Sequence, residues 1–155
     1  NLTMHEDRKW MNIAIQEALR AEEEGEVPVG AVLVKEGLLV AKAHNQPILK
    51  NDATAHAEIQ VIRTAGIIQE NYRLTGTSLY VTLEPCAMCL GAMMHARVER
   101  LIYGAYDPKT GACGSSENLI DAKCFNHRIN LTSGVLEDEC KQILKKFFIS
   151  KRLKN

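Results

Sequence analysis

No apolar run in the sequence approaches the roughly 18–20 residues that a membrane span requires, so no membrane association is expected. No basic-then-apolar leader precedes the first polar residues, so no export signal is expected either. Neither sign of charge is in excess: 19 basic side chains face 19 acidic ones. Aromatics are scarce at 5%, and there is no internal repeat, low-complexity stretch or linker. Cysteines number five, an odd count that does not suit a secreted disulfide framework. Two of them form a C-x-x-C, which favours a reducing cytoplasm, where clustered thiols bind metal or do redox work.

What remains is an ordinary globular composition, 46% apolar and 25% charged over 155 residues. That length buries about 68–70% of the unfolded surface without staples, and the expectation is one domain spanning 1–155. Thr3-x-x-Glu6 has the spacing of a capping box, and Met11, Ala14, Ile15 and Ala18 follow at helical intervals. This helix is expected to run to about Glu24, with Gly25 ending it. Ala31–Val34 and Leu38–Ala43 flank the Glu36-Gly37 turn and predict a hairpin. Residues 44–54 read as a loop, 55–66 as a helix and Leu79–Leu83 as a central strand. Cys86–Arg97 has helical composition, Leu101–Ala105 is a buried strand, and Asp107–Ser116 is a glycine-bearing loop. Ile129–Thr132 is a weak fifth strand, and a last helix covers about Glu137–Arg152 with Cys140, Ile143, Leu144 and Phe147 on its apolar face. Strands alternating with helices predict a largely parallel α/β layer opened by one antiparallel hairpin.

His56-Ala57-Glu58 and Pro85-Cys86-Ala87-Met88-Cys89 carry the chemical signal. Cys86 and Cys89, at i and i+3 where a helix starts, share a face, and the helix dipole favours their thiolates. Two thiolates call for a soft or borderline metal, with zinc the default. Adding His56 gives three protein ligands; a structural zinc site closes with four, whereas a catalytic one keeps a place for water. Glu58 leaves the chain in another direction and is within reach of such a water as a proton carrier, although spacing alone leaves its role open. A redox C-x-x-C would also follow a strand and open a helix, but it leaves His56 and Glu58 without a purpose. A structural zinc site would need a fourth ligand from Cys113, Cys124, His95 or His127, none of which has paired spacing.

His-Ala-Glu followed 30 residues later by Pro-Cys-x-x-Cys resembles the signature of the zinc-dependent nucleobase deaminases. Further segments resemble one branch, the bacterial tRNA-specific adenosine deaminases: Val27–Val32, His44–Pro47, Leu83–Met93, Gly104–Gly111 and Asn126–Arg128. The resemblance implies a three-layer α/β/α cytidine-deaminase-like fold with a five-stranded mixed sheet, and a homodimer. It implies hydrolytic deamination of adenosine to inosine at the wobble position of a tRNA anticodon stem-loop. One zinc per chain would be held by His56, Cys86 and Cys89, with Glu58 as proton shuttle. Asn45 would hydrogen-bond the target nucleotide, Val29 and Leu83 would be apolar pocket walls, and Asp107 and Lys109 would meet flanking nucleotides. Tyr106 departs from the pattern, since some members carry arginine there.

The C-terminal segment has its own signal. Beyond Glu139 there are six basic and no acidic side chains. Lys141, Lys145, Phe148 and Arg152 fall within about 60° of helical arc, a basic stripe with one aromatic that suits phosphate contacts and base stacking. On charge alone, with no net charge on the chain, the same stripe reads better as a solvated helix face with Phe148 at the rim of the core. The family's use of this helix in RNA binding favours Lys145, Phe148 and Arg152 as RNA contacts. Two rivals share the motif: a deaminase of free guanine or cytosine, and a non-catalytic RNA-binding subunit with structural zinc. The basic stripe and Asn126-His127-Arg128 speak against the first, and an intact Glu58 against the second.

Overall fold

Asn1, not Thr3, caps the first helix. In the computed structural model, which describes residues 1–154, the Asn1 side-chain oxygen accepts from the Thr3 N–H at 2.9 Å. Thr3 therefore lies inside α1 (Leu2–Glu23), and the capping-box spacing goes unused. Trp10, Met11, Ala14, Ile15, Ala18 and Ala21 form its buried stripe, as their spacing requires of an amphipathic helix.

The hairpin forms as β1 (Gly30–Lys35) and β2 (Leu38–His44), which pair antiparallel with a register shift between Leu33 and Val34. The segment after it is not all loop, because Pro47–Lys50 makes one short helix, α2. Its free N-terminal amides are satisfied from a distance: the buried Glu26 carboxylate accepts from Ile48 N–H at 3.2 Å and Leu49 N–H at 2.8 Å. Helix α3 (Ala57–Gln69), strand β3 (Thr77–Leu83), helix α4 (Ala87–Ala96), strand β4 (Arg100–Ala105), strand β5 (Asn130–Thr132) and helix α5 (Glu137–Lys154) complete the order.

The sheet order is β2-β1-β3-β4-β5. It is more mixed than simple alternation of strands and helices suggests, because β1 also pairs antiparallel with β3; only β3–β4 and β4–β5 are parallel. Alternation along the strands separates two cores. Ala31, Leu33, Leu79, Val81, Leu101 and Tyr103 face α3 and α4. Val32, Val34, Tyr80 and Ile102 face α1, with Cys140 of α5 beside them. The result is the three-layer α/β/α arrangement with a five-stranded mixed sheet.

Helix α1 is tied to the sheet at three points. Asp7, buried, accepts from Tyr80 Oη at 2.7 Å and from both terminal nitrogens of Arg100, at 3.1 and 3.0 Å. Glu17 and Glu24 lie 3.0 Å from Nδ1 and Nε2 of buried His44 at the end of β2. Between these, β1 passes so close to α1 that a Cβ on Gly30 would lie 1.9 Å from Ala14 O and 2.6 Å from Ala18 N. Gly30→Ala is expected to destabilise the fold by at least about 1–3 kcal/mol through overpacking. Denaturant titration checks this; an unchanged midpoint would mean that the helix shifts away at no cost.

Candidate metal centre and substrate cleft

Two helices begin at one spot. His56 is the N-cap of α3 with extended backbone (φ −69°, ψ 153°), and Cys86 is the N-cap of α4 (φ −77°, ψ 175°). Pro85 ends the strand segment before α4, and Cys89 sits one turn into that helix on the same face. Neither N-cap side chain makes a capping hydrogen bond to its helix, which leaves both available to the site. His56 Nδ1 lies 3.7 Å from Cys86 Sγ and 3.5 Å from Cys89 Sγ. The three ligand atoms lie within 4.8 Å of one another, and among the described residues this is the only such group of His, Cys, Asp and Glu.

Electrostatics support anionic sulfur here. The Cys86 thiol is brought down to about 4, chiefly by the hydrogen bond from Cys89 and then by that from His56. The same bond, with burial, raises Cys89, so the pair holds one thiolate and one proton. The Cys86 sulfur in turn raises His56. The helix N-termini add positive potential to the site. Two sulfurs and one imidazole nitrogen suit zinc, and three protein donors match the count of an open, catalytic site. Cys113 is buried apart from this group, His95 and Cys124 are exposed, and His127 Nε2 is 2.8 Å from the Val98 carbonyl. None of the four fourth-ligand candidates joins it.

Glu58 lies in the first turn of α3, only 4% exposed. Burial pushes its carboxyl up to about 7, with the Cys86 charge acting in the same direction against its own backbone N–H. A carboxyl poised near neutrality both accepts and releases a proton with little penalty.

His56, Glu58 and Cys86 line a cavity of about 270 Å³ together with Val29, Asn45, Leu83 and Asp107. Six expected site residues thus join His56 at one opening, and Cys89 lies buried behind them. Asn45 is held by a detail that spacing could not reveal. Its Oδ1 accepts from Ala57 N–H at 2.8 Å, between His56 and Glu58. What Asn45 can offer a ligand is its amide N–H pair. Behind it Gln60 donates to the His44 carbonyl at 2.6 Å and to Gln46 Oε1 at 3.1 Å, fixing the strand end that carries Asn45.

A second, larger groove of about 630 Å³ adjoins the first and shares Val27, Leu83, Asp107 and Thr110 with it. Lys109, Lys141, Lys145, Leu144 and Phe148 form the rest of its wall with Tyr106 and Pro108. The stripe on α5 therefore faces the cleft rather than open solvent alone. Arg152, exposed one turn further on, lines neither space. Tyr106, whose ring meets Tyr103 edge-on, donates its hydroxyl to Ser133 Oγ at 3.1 Å. That bond ties β4 to the loop before α5. Met93 and Met94 of α4 are core residues, 0% and 3% exposed.

Residues 4–105 match the model of the cytidine and deoxycytidylate deaminase zinc-binding region. The tRNA-specific adenosine deaminase of Bacillus subtilis is 48% identical over 151 residues, covering 97% of this chain and 94% of that one. That of Haemophilus influenzae is 48% identical over 147 residues, covering 94% and 85%. A solved structure from work on A-to-I editing by tRNA deaminases at the wobble position superposes with a TM-score of 0.86. It is 46% identical and covers 88% of this chain and 99% of that one.

Purified protein is expected to carry about one zinc per chain, measured by elemental analysis. Cys86→Ala should lose it. Metal-free protein with full activity would disprove the assignment.

Proposed function

The chain belongs to the cytidine and deoxycytidylate deaminase family, and from that premise we propose that it converts adenosine to inosine at the wobble position of a tRNA anticodon. The observation that carries this reading is the junction of two spaces. A small cavity of about 270 Å³ holds the His56–Cys86 end of the ligand group and Glu58, and it opens into a groove walled by lysines and Phe148. A single extruded base fits the first, and the second offers cations and an aromatic face to the nucleotides on either side. The adenosine-deaminating relatives and the wobble-position editing structure supply the base and the position.

His56 Nδ1, Cys86 Sγ and Cys89 Sγ hold the zinc in this reading. Zinc bound there supplies a water acidic enough to attack near neutral pH. Glu58 takes a proton from that water and gives it to N1 of the adenine ring. With the water's oxygen bonded to C6, Glu58 would carry that oxygen's remaining proton to the exocyclic nitrogen, so that the C6–N bond breaks and ammonia leaves. A carboxyl held near 7 by burial suits both directions of transfer. Asn45, its oxygen committed to Ala57, donates from its amide nitrogen to an acceptor on the nucleotide. Val29 and Leu83 pack against the base and keep bulk water away. Asp107 and Lys109 contact the flanking nucleotides, Lys145 and Arg152 contact phosphates, and Phe148 stacks on a base.

The whole chain, 1–155, acts as one deaminase domain in the cytoplasm. Its tRNA substrate and free thiols support that setting, and no described helix is long and apolar enough to cross a membrane. We further propose a homodimer. With Met93 and Met94 buried, its supporting residues are the exposed Ile48 and Leu49 on α2 and Met88 on α4.

Glu58→Ala should fold and keep zinc while losing turnover by about 10²–10⁴-fold. Inosine formation on an anticodon stem-loop with wobble adenosine measures this; retention of more than about a tenth of the rate would assign the proton transfers elsewhere.

Stem-loop binding should weaken with added salt as phosphates release counterions. Lys145→Ala and Arg152→Ala should each shallow that slope by up to about one unit, and Phe148→Ala should cost about 1–3 kcal/mol. Fast turnover of free guanine or cytosine, with all three variants silent and the stem-loop inert, would instead establish the free-base rival.

A further inference from the structure

Glu84 lies between the cavity wall at Leu83 and Pro85, which leads into Cys86. Its side chain is buried, with 2% of the residue exposed, and no cation pairs with it among the described residues. Oε1 accepts from Asp107 N–H at 3.1 Å and from the Ser115 hydroxyl. Oε2 accepts from Cys113 N–H at 3.0 Å and Ser115 N–H at 3.1 Å. A carboxylate offers about four acceptor positions, and one loop takes them all. The main chain runs alongside: Glu84 N–H donates to Ala105 O at 2.8 Å, and Ala112 N–H donates to Pro85 O at 2.9 Å. Gly111 closes over the carboxyl so tightly that a Cβ there would lie 2.4 Å from Glu84 Cδ.

A saturated acceptor has no lone pair left for a proton, a metal or a base. We propose that Glu84 is a positioning residue for the substrate, acting through the loop 107–115 rather than on reacting atoms. It fixes that loop at its root to the turn that carries Cys86, so that the metal turn and the cleft wall keep one geometry. The anchoring continues outward. The Asp107 carboxylate accepts from Lys109 N–H at 3.0 Å, Thr110 N–H at 3.1 Å and the Thr110 hydroxyl at 2.8 Å. Asp107 and Thr110 in turn line both the cavity and the groove. The inference rests on the nucleic-acid reading above, since what the loop positions is the nucleotide chain.

Glu84→Gln keeps size but turns one acceptor oxygen into a donor that meets two donors. Zinc-loaded protein is compared by hydrogen exchange at Asp107, Cys113 and Ser115, by zinc content and by initial rates on the wobble-adenosine stem-loop. Exchange should quicken at these amides while zinc stays bound. Loss of kcat/KM should reach roughly 10- to 100-fold and fall on KM more than on kcat. Ser115→Ala, which deletes one hydroxyl at the loop's exposed end, should give the same pattern more weakly, and it decides the matter if Glu84→Gln does not fold. Unchanged loop exchange overturns the proposal; so does a looser loop with unaltered KM, a loss confined to kcat, or loss of zinc from a loop that stays protected. Active wild type with indifferent variants overturns this inference alone, whereas wild type inert on the stem-loop overturns the substrate reading on which it rests.

Discussion

Helices α3 and α4 start against each other just beyond the end of β3, and their first residues carry the ligands His56 and Cys86. The unsatisfied N–H groups of two helices thus converge on one volume. Negative charge gathers there at low cost, and the hydrogen bonds from Cys89 and His56 let Cys86 ionise easily with a second sulfur beside it. A dication is the natural complement of that concentration of donors. The mixed sheet serves this convergence. The central pairs β1–β3 and β3–β4 bring the start of β1, the end of β2 and the loop after β4 to one rim, so Val29, Asn45 and Asp107 reach the same opening.

Burial divides labour among the carboxylates. Glu58 has little solvent and keeps its proton into the neutral range, which makes it useful for transfer. Asp7, Glu26 and Glu84 are equally buried but are spent on fixed donors: a guanidinium and a phenol, a helix start, and a loop. The same side-chain type is thus free to exchange a proton near neutrality where donors are few and serves as a fastener where they are many.

Local signals made much of this visible beforehand. The ligands were legible because two cysteines at i, i+3 and a histidine at a helix start are local patterns with a chemical meaning. Strand positions followed from β-rich runs, and the buried face of α5 from its period, with Cys140 and Phe147 inside. Partnership was what periodicity withheld. Nothing in β1 announces that it pairs antiparallel with β3, some 45 residues on. Helix α2 escaped because its cap is supplied by Glu26, more than 20 residues upstream. Glu84 carried no local sign of its role, since its four donors come from 23–31 residues further along. The Thr3–Glu6 pattern misled because Asn1 offered an earlier cap.

The two spaces of the cleft share only four residues, Val27, Leu83, Asp107 and Thr110. Outside that seam, the residues that wall the groove are not those that line the cavity with His56, Glu58 and Cys86. The four seam positions are where a change in target and a change in chemistry would have to be negotiated together.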